Sequence, residues 1–268
     1  MTITDQTIHT IEQASGGRLG VMVHELGSGE TFAHCPDERV PTASVIKLPL
    51  VLHAALLAHE GQLNFDEKLT LHNEDKVGGY GILRDLTAGQ TFSIRDLCQL
   101  TIVLSDNTAT NLLIERLGVA AINARIATLG LTHTRLHRKA FTPNTPDMLP
   151  FGLGVTTPRD IANLLLMLLR QEVIPAQPAQ MVLAMLAAQR DRVGFARYLP
   201  VDWAYAGKTG ADDHLRNDVG IITAPDGRRW VIAAFCHDLP QPNYTVDNPG
   251  WLALAQLARE LIVDSDSG

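Results

Sequence analysis

The chain has 268 residues, 46% of them hydrophobic and 19% charged, so it can bury a substantial core in one large domain or two lobes. A formal net charge of -7 argues against a surface that binds DNA, RNA or an anionic membrane, because such surfaces need clustered Lys and Arg. The three cysteines, Cys35, Cys98 and Cys236, are too scattered for a disulfide framework and form no CxxC pair. We therefore expect a folded protein with no nucleic-acid or membrane partner, no metal and no other cofactor.

The N-terminus of the sequence has no apolar run of signal-peptide length. No later segment reaches the roughly 18 uninterrupted apolar residues that a spanning helix needs. We therefore expect a cytoplasmic protein, or a periplasmic or secreted one if a leader was removed. Its expected partner is a small-molecule substrate, and its expected state is a monomer.

The first part of the chain predicts a helix over residues 4–14 and two strands within 18–34, on either side of a glycine-rich turn. Helical patterns then dominate from residue 44 to about 188. They are clearest over three stretches, 44–61, 93–118 and 156–171. Gly118 is a typical helix stop, and Thr157 is a typical N-cap.

Strand patterns return near the C-terminus, followed by a closing helix over residues 250–263. The predicted strands lie within three stretches, 203–210, 217–227 and 228–238. Asp226 and Gly227 are a typical hairpin turn between the last two strands.

This order of elements predicts a mixed α/β protein of the α+β type: an antiparallel sheet built from both chain ends, flanked by terminal helices, with an inserted all-helical lobe. We expect a single catalytic domain over residues 1–268. Its sheet lobe would comprise residues 1–43 and 195–268, and its helical lobe residues 44–194. A ligand site is expected in the cleft between the lobes.

Three short motifs carry candidate chemistry. Ser44 and Lys47 form an S-x-x-K pair, which one helical turn would place on one face. The second motif is Ser105-Asp106-Asn107 and the third is Lys208-Thr209-Gly210. Each alone has a plain structural interpretation as a helix cap, a turn or a strand end. Their common order and spacing are much harder to explain in that way.

With these three motifs, the chain resembles the class A β-lactamases within the penicillin-recognising serine enzymes. The resemblance extends through Thr157 and Pro158, and through Arg216-Asn217-Asp218, so it spans nearly the whole chain. It implies the β-lactamase/transpeptidase-like fold and a serine hydrolase that forms an acyl-enzyme.

The resemblance implies catalytic roles for five residues. Ser44 would be the nucleophile, and Lys47 its base if burial and nearby cations lower its pKa. The backbone N–H groups of Ser44 and Ala211 would form the oxyanion hole. Ser105 would relay a proton to the leaving nitrogen, while Lys208 keeps the local potential positive.

The substrate-binding residues follow from the same resemblance. Asn107 would bind the substrate amide, and Thr209, beside Gly210, would bind its carboxylate together with Arg216. Tyr80 precedes Ser105 where the family has a loop that lines the cleft. It would stack on the substrate or simply pack.

The sequence departs from the family pattern in the loop that normally carries the deacylating glutamate. Arg138 and Asn144 match, and Asn144 is a candidate substrate-binding residue, but Ala140 stands where the glutamate is expected. Val155 stands in place of the aspartate that closes this loop, and Asp147 is a candidate substitute for either acid. An alanine cannot take a proton, so we expect acylation to proceed and deacylation to be slow.

A second departure concerns the family disulfide. Cys98 matches one of its cysteines, but the partner position holds Val51, so no bridge is expected.

Three functions compete on this basis. The favoured one is a serine hydrolase with weak or slow β-lactamase activity. The alternatives are a penicillin-binding-type transferase or esterase, and a β-lactam-binding sensor module that stays acylated.

Overall fold

The structure of the protein is a computed structural model that describes residues 3–260, apart from the side chain of Asp147. Its α-helices are α1 Asp5–Ser15, α2 Lys47–His59, α3 Ile94–Val103, α4 Asn107–Leu117, α5 Val119–Thr128, α6 Pro158–Arg170, α7 Ala176–Ala187 and α8 Pro249–Ala258. Its strands are β1 Arg18–Glu25, β2 Thr31–His34, β3 Val40–Pro41, β4 Lys68–Thr70, β5 Thr91–Ser93, β6 Arg135–Leu136, β7 Gly154–Thr156, β8 Ala204–Asp212, β9 Leu215–Thr223 and β10 Arg229–His237.

The main sheet has five antiparallel strands in the order β2-β1-β10-β9-β8. It joins both chain ends, since β1 pairs with β10 in a register that places Leu19 opposite Cys236. The predicted hairpin at Asp226 and Gly227 connects β9 to β10, with Gly227 at φ 91°. The predicted fold class is therefore confirmed.

Alternation along the strands gives the sheet two apolar faces. Ile222 and Ile232 pack with α1 and α8 in one buried cluster. Their chain neighbours Ile221 and Val231 pack with the inserted helices in the other. Because successive side chains of a strand point to opposite faces, the sheet lies as a middle layer between the terminal helices and the helical insertion.

The inserted lobe is not all-helical, which corrects one part of the prediction. The segment 44–194 also contains β4 paired with β5, and β6 paired with β7, which in turn pairs with β3. These strands are two or three residues long, too short for an alternating pattern to be visible in the sequence.

The predicted helical stretch 93–118 is divided into α3 and α4. The break lies at Ser105, which has a left-handed backbone at φ 52°. Asp106 then caps α4, accepting a hydrogen bond from the Ala109 N–H at 2.9 Å. This break takes Ser105 out of a helix and into the cleft.

The helix ends agree with the predicted caps. Thr157 caps α6 by accepting from the Asp160 N–H, and Gly118 ends α4. The closing helix α8 begins at Pro249, and the last three residues of its predicted span lie outside the described residues. Cys35, Cys98 and Cys236 are free thiols. Within residues 3–260, no helix combines the length and apolar character needed to cross a bilayer.

Candidate active site

Ser44 lies at the centre of a cleft, in a 3₁₀ turn that leads directly into α2. The backbone N–H of Lys47 donates to the Ser44 carbonyl, so the two residues are one tight turn apart, as the S-x-x-K spacing predicts. Ser44 is half-buried and lines two adjoining cavities of about 350 and about 810 Å³. Ser44 is therefore accessible from both cavities.

Strands β8 and β9 of the main sheet fix the 3₁₀ turn that carries Ser44. The Asn217 side chain donates to the carbonyls of Pro41 and Thr42 at 3.0 and 3.1 Å. A Cβ atom on Gly210 would lie 2.9 Å from the Thr42 carbonyl oxygen and 3.2 Å from the Ser44 nitrogen. The glycine of the third motif therefore permits β8 to approach the nucleophile turn closely.

Lys47 is fully buried and its amine is held by the second motif. Nζ donates to the Ser105 carbonyl at 2.7 Å, to Ser105 Oγ at 3.2 Å and to Asn107 Oδ1 at 2.7 Å. Burial, and then the positive charge of Lys208, hold the pKa of Lys47 well below its ordinary value. Both effects favour loss of one of the three protons of the ammonium, which leaves two N–H donors and a lone pair that can accept a proton.

Lys208 approaches the same hydroxyl from β8. Its Nζ donates to Ser105 Oγ at 3.0 Å and to the Thr209 carbonyl at 2.7 Å. Burial lowers its pKa to about 8, against the opposing effect of Asp191 and Asp218. A hydroxyl accepts two hydrogen bonds and donates one, so Ser105 can take both lysines while pointing its own proton elsewhere.

Asp106, which the sequence interpretation left without a role, positions the Tyr80 loop. Its Oδ2 accepts from the N–H groups of Ile82 and Leu83 at 2.7 and 2.9 Å. The Asn107 N–H donates to the Tyr80 carbonyl at 3.0 Å. Tyr80, 44% exposed, lines both cavities. In the sequence, Ser105-Asp106-Asn107 could be interpreted as a helix cap or a turn. That pattern does not indicate which loop the aspartate binds.

The larger cavity has Ala140 in its wall, together with Asn107 and Ala211. Asn111 holds the backbone of Ala140 on both sides: its Nδ2 donates to the Ala140 carbonyl at 3.0 Å, and its Oδ1 accepts from the Ala140 N–H at 2.8 Å. The position of residue 140 is therefore set by its backbone and not by its side chain. Asn111 was not singled out from the sequence.

The flanking residues of this loop bind each other. Arg138 Nε donates to Asn144 Oδ1 at 2.6 Å. Asn144 is exposed and is not among the residues that line either cavity. Val155 is buried in β7, and Asp147 lies outside the described side chains.

The structure does not bring Thr209 and Arg216 together in the expected way. Thr209 lines the smaller cavity, and its hydroxyl donates to Asp191 Oδ2 at 2.9 Å. The Arg216 guanidinium is buried outside both cavity walls and lies over the rings of Tyr244 and Trp251. It donates to three backbone carbonyls, those of Asp212, Leu215 and Asn243.

Among the residues that the structure describes, no cluster of three His, Cys, Asp or Glu side chains could hold a metal ion. The groups that the cleft brings together are the hydroxyls of Ser44 and Ser105, two buried amines, the Asn107 amide and the Asp191 carboxylate.

Comparisons with known proteins bear on the family and the fold of the chain. A model of the Beta-lactamase enzyme family matches residues 4–265. The chain is 29% identical over 270 residues to β-lactamase AST-1 of Nocardia asteroides, covering 98% of this chain and 84% of that protein. The crystal structure of the β-lactamase from Sphaerobacter thermophilus DSM 20745 superposes with a TM-score of 0.87 and 32% identity, over 99% of both chains.

A further solved structure is a leucine-to-glutamate variant of PBP-A, an acyl-enzyme complex with penicillin G. It superposes with a TM-score of 0.84 and 25% identity, covering 98% of this chain and 97% of that one.

The fold and the cleft define a serine hydrolase of the class A type that works through an acyl-enzyme. The chain belongs to the beta-lactamase enzyme family.

Proposed function

We propose that this enzyme acylates Ser44 with β-lactams or related amides and esters, and that it releases the acyl group slowly. The observation that carries the proposal is the convergence of Lys47 and Lys208 on Ser105 beside the half-buried Ser44. Burying two lysine amines beside one hydroxyl lowers the stability of the fold, because each charge loses its hydration. Buried groups with shifted pKa values are typical of sites that transfer protons.

In the acylation step, neutral Lys47 accepts the Ser44 proton while Oγ forms a bond to the substrate carbonyl carbon. The backbone N–H groups of Ser44 and Ala211 stabilise the oxyanion. The carbon–nitrogen bond of the β-lactam then breaks, and Ser105 donates its proton to the leaving nitrogen. Ser105 regains a proton from Lys47, so the amine returns to its neutral form.

Deacylation needs a water molecule and a base on the opposite side of the ester. Ala140 occupies the cavity wall there and has only a methyl group. Without a carboxylate at this position, hydrolysis lacks general-base assistance, which is typically worth about 10²- to 10⁴-fold. The missing carboxylate favours a slow β-lactamase. The second candidate function is a sensor module that stays acylated after it binds a β-lactam.

The test combines turnover and covalent capture. We expect a chromogenic cephalosporin to give a burst close to one equivalent, followed by slow turnover, and intact-mass spectrometry to show one adduct per chain. Release of p-nitrophenol from a panel of p-nitrophenyl esters measures whether the enzyme also acts as an esterase. Fast turnover without an accumulated adduct would contradict slow deacylation, and the absence of any adduct or turnover would contradict the proposal as a whole.

The pH dependence of acylation provides a further prediction. Lys208 is protonated below its pKa of about 8, so its positive charge is lost as the pH rises through that value. We expect the acylation rate of Ser44, measured by stopped-flow under single-turnover conditions, to fall above about pH 8. Lys208→Arg should move this decline to higher pH, because a guanidinium stays charged. A wild-type rate that is constant or rising up to pH 9.5 would remove Lys208 from the charge-stabilising role.

A further inference from the structure

A carboxylate of the protein itself occupies the Thr209 side of the cleft. Asp191 lies in the segment between α7 and β8 and lines the smaller cavity with Ser44 and Ser105. Its Oδ2 accepts the Thr209 hydroxyl at 2.9 Å, and its Oδ1 accepts the Val193 N–H at 3.3 Å. Both oxygens are therefore engaged, and the carboxylate has a defined position next to the reacting groups.

The segment that carries Asp191 is attached to the core on both sides. Gln189, which is buried, accepts the Asp191 N–H through Oε1 at 3.1 Å. On the other side, the Phe195 N–H donates to the buried Asp218 at 2.8 Å. A Cβ on Gly194 would clash with the Asp218 carboxylate, so the chain passes the sheet without space for a side chain. Asp191 is thus part of the cleft wall and not the tip of a free loop.

The nearby cations already interact with groups of the protein, Asp191 among them, or are exposed. Lys208 donates to Ser105 Oγ and to the Thr209 carbonyl. Arg216 donates to three backbone carbonyls outside the cavity wall. Arg190 lines the same cavity but is exposed, so solvent screens its charge.

A substrate carboxylate bound to Thr209 would have to displace Asp191 from that hydroxyl. The two negative charges would then lie side by side in a partly buried site, which disfavours binding. An uncharged or cationic group meets no such repulsion, and a cation would be attracted by Asp191.

We propose that Asp191 makes this enzyme select acyl donors whose leaving group carries no carboxylate at the Thr209 side and is instead uncharged or cationic. The inference rests on the proposed acylation of Ser44. A β-lactam with the usual carboxylate then still acylates Ser44, but more slowly than a neutral or cationic ester or amide of similar reactivity. The step follows the same course: Lys47 takes the Ser44 proton as the Ser44 oxygen bonds to the acyl carbon, and the bond to the leaving group breaks. Ser105 then protonates the leaving group and regains a proton from Lys47.

The test uses three esters of one acyl group with phenols that bear, beyond a methylene, a carboxylate, a carboxamide or a trimethylammonium group. The methylene keeps the three leaving groups similar in reactivity, and spontaneous hydrolysis corrects for what remains. Acylation of Ser44 is followed by intact-mass spectrometry and stopped-flow release of the phenol. In the wild type we expect the carboxylate ester to react at least about tenfold more slowly than the carboxamide ester.

The variant Asp191→Asn keeps an acceptor for Thr209 and removes the charge. We expect it to raise the carboxylate-to-carboxamide rate ratio at least about tenfold and to abolish any preference for the cationic ester. Asp202→Asn, at an exposed aspartate outside both cavity walls, changes the net charge equally and should leave the ratio as it is. The variant Arg190→Gln tests whether the exposed Arg190 guanidinium binds the carboxylate of the ester.

The outcomes separate this inference from the proposed function. If neither the three esters nor a β-lactam labels Ser44, both fail. If a β-lactam with its carboxylate labels Ser44 and none of the esters does, only the selection by Asp191 is wrong. If all three label Ser44 at similar corrected rates, or if Asp191→Asn leaves the ratio unchanged, only the selection by Asp191 is wrong. A loss of the carboxylate ester's reactivity in Arg190→Gln, with no effect in Asp191→Asn, also overturns the inference and makes Arg190 the carboxylate-binding residue.

Discussion

Replacing Ser44 with alanine is expected to abolish covalent labelling by penicillin G and by a fluorophosphonate probe. The hydroxyl is the nucleophile of the proposed mechanism, and the hydroxyl of Ser105, the other serine in the cavity walls, is held by two lysines. Because Ser44 is half-buried at the cleft surface, its loss should change the free energy of unfolding by no more than about 0.5 kcal/mol. The measurement is intact-mass spectrometry after incubation with each probe, alongside thermal unfolding.

Ser28→Ala is the matched control, since Ser28 is an exposed serine in the turn between β1 and β2 and should label like the wild type. An adduct that persists in Ser44→Ala, mapped by peptide digestion to another residue, would remove Ser44 from the mechanism.

The arrangement of the three motifs could be predicted to a large extent from the sequence. A Ser-x-x-K spacing is local, so one turn of chain sets its geometry. The meeting of Lys47 with Ser105 and Lys208 is not local, and only the resemblance to a family indicated it. The structure brings both amines within hydrogen-bond distance of Ser105 Oγ.

The sequence did not indicate the hydrogen bond between Asp191 and Thr209. The two residues are 18 positions apart, in a segment without regular periodicity, and no local pattern pairs an aspartate with a particular threonine. Arg216 illustrates the same difficulty. Its position on β9 follows from strand alternation, but its contacts with the Asn243 carbonyl and the Trp251 ring depend on how α8 and the preceding loop pack.

The break between α3 and α4 at Ser105 could not be predicted from the sequence either. The stretch 93–118 has continuous helical character, and a single residue at φ 52° divides it. The bonds of Asp106 to Ile82 and Leu83 stabilise the break through a loop that is distant in sequence. Tertiary contacts therefore override the local helical preference.

Ala140→Glu is expected to accelerate loss of the acyl group from Ser44 by at least about tenfold and to leave the acylation rate nearly unchanged. The Ala140 backbone is held by Asn111, so a larger side chain should not move the loop. The adjoining cavity of about 810 Å³, which Ser44 also lines, gives a glutamate space to extend towards the ester. A carboxylate placed there can orient a water molecule and take its proton.

The full effect of a general base is about 10²- to 10⁴-fold, or roughly 3 to 5 kcal/mol of activation free energy. We expect only part of it, because a misplacement of about 1 Å costs much of the gain. The measurement is decay of the penicillin G adduct by time-resolved mass spectrometry. Ala140→Gln is the matched control, since it has the same size and can hydrogen-bond to water but cannot take a proton at neutral pH.

Faster decay in both variants would mean that the longer side chain, and not a base, alters the site. Unchanged decay in a folded Ala140→Glu protein would mean that residue 140 does not reach the ester, or that another base already acts, and Asp147→Asn would then be the variant to measure. Faster decay in Ala140→Glu alone would identify the missing carboxylate as the reason for slow turnover. Asp191 and Ala140 would then have separable effects on the two cavities that meet at Ser44, since the first acts on the rate of acylation and the second on the rate of release.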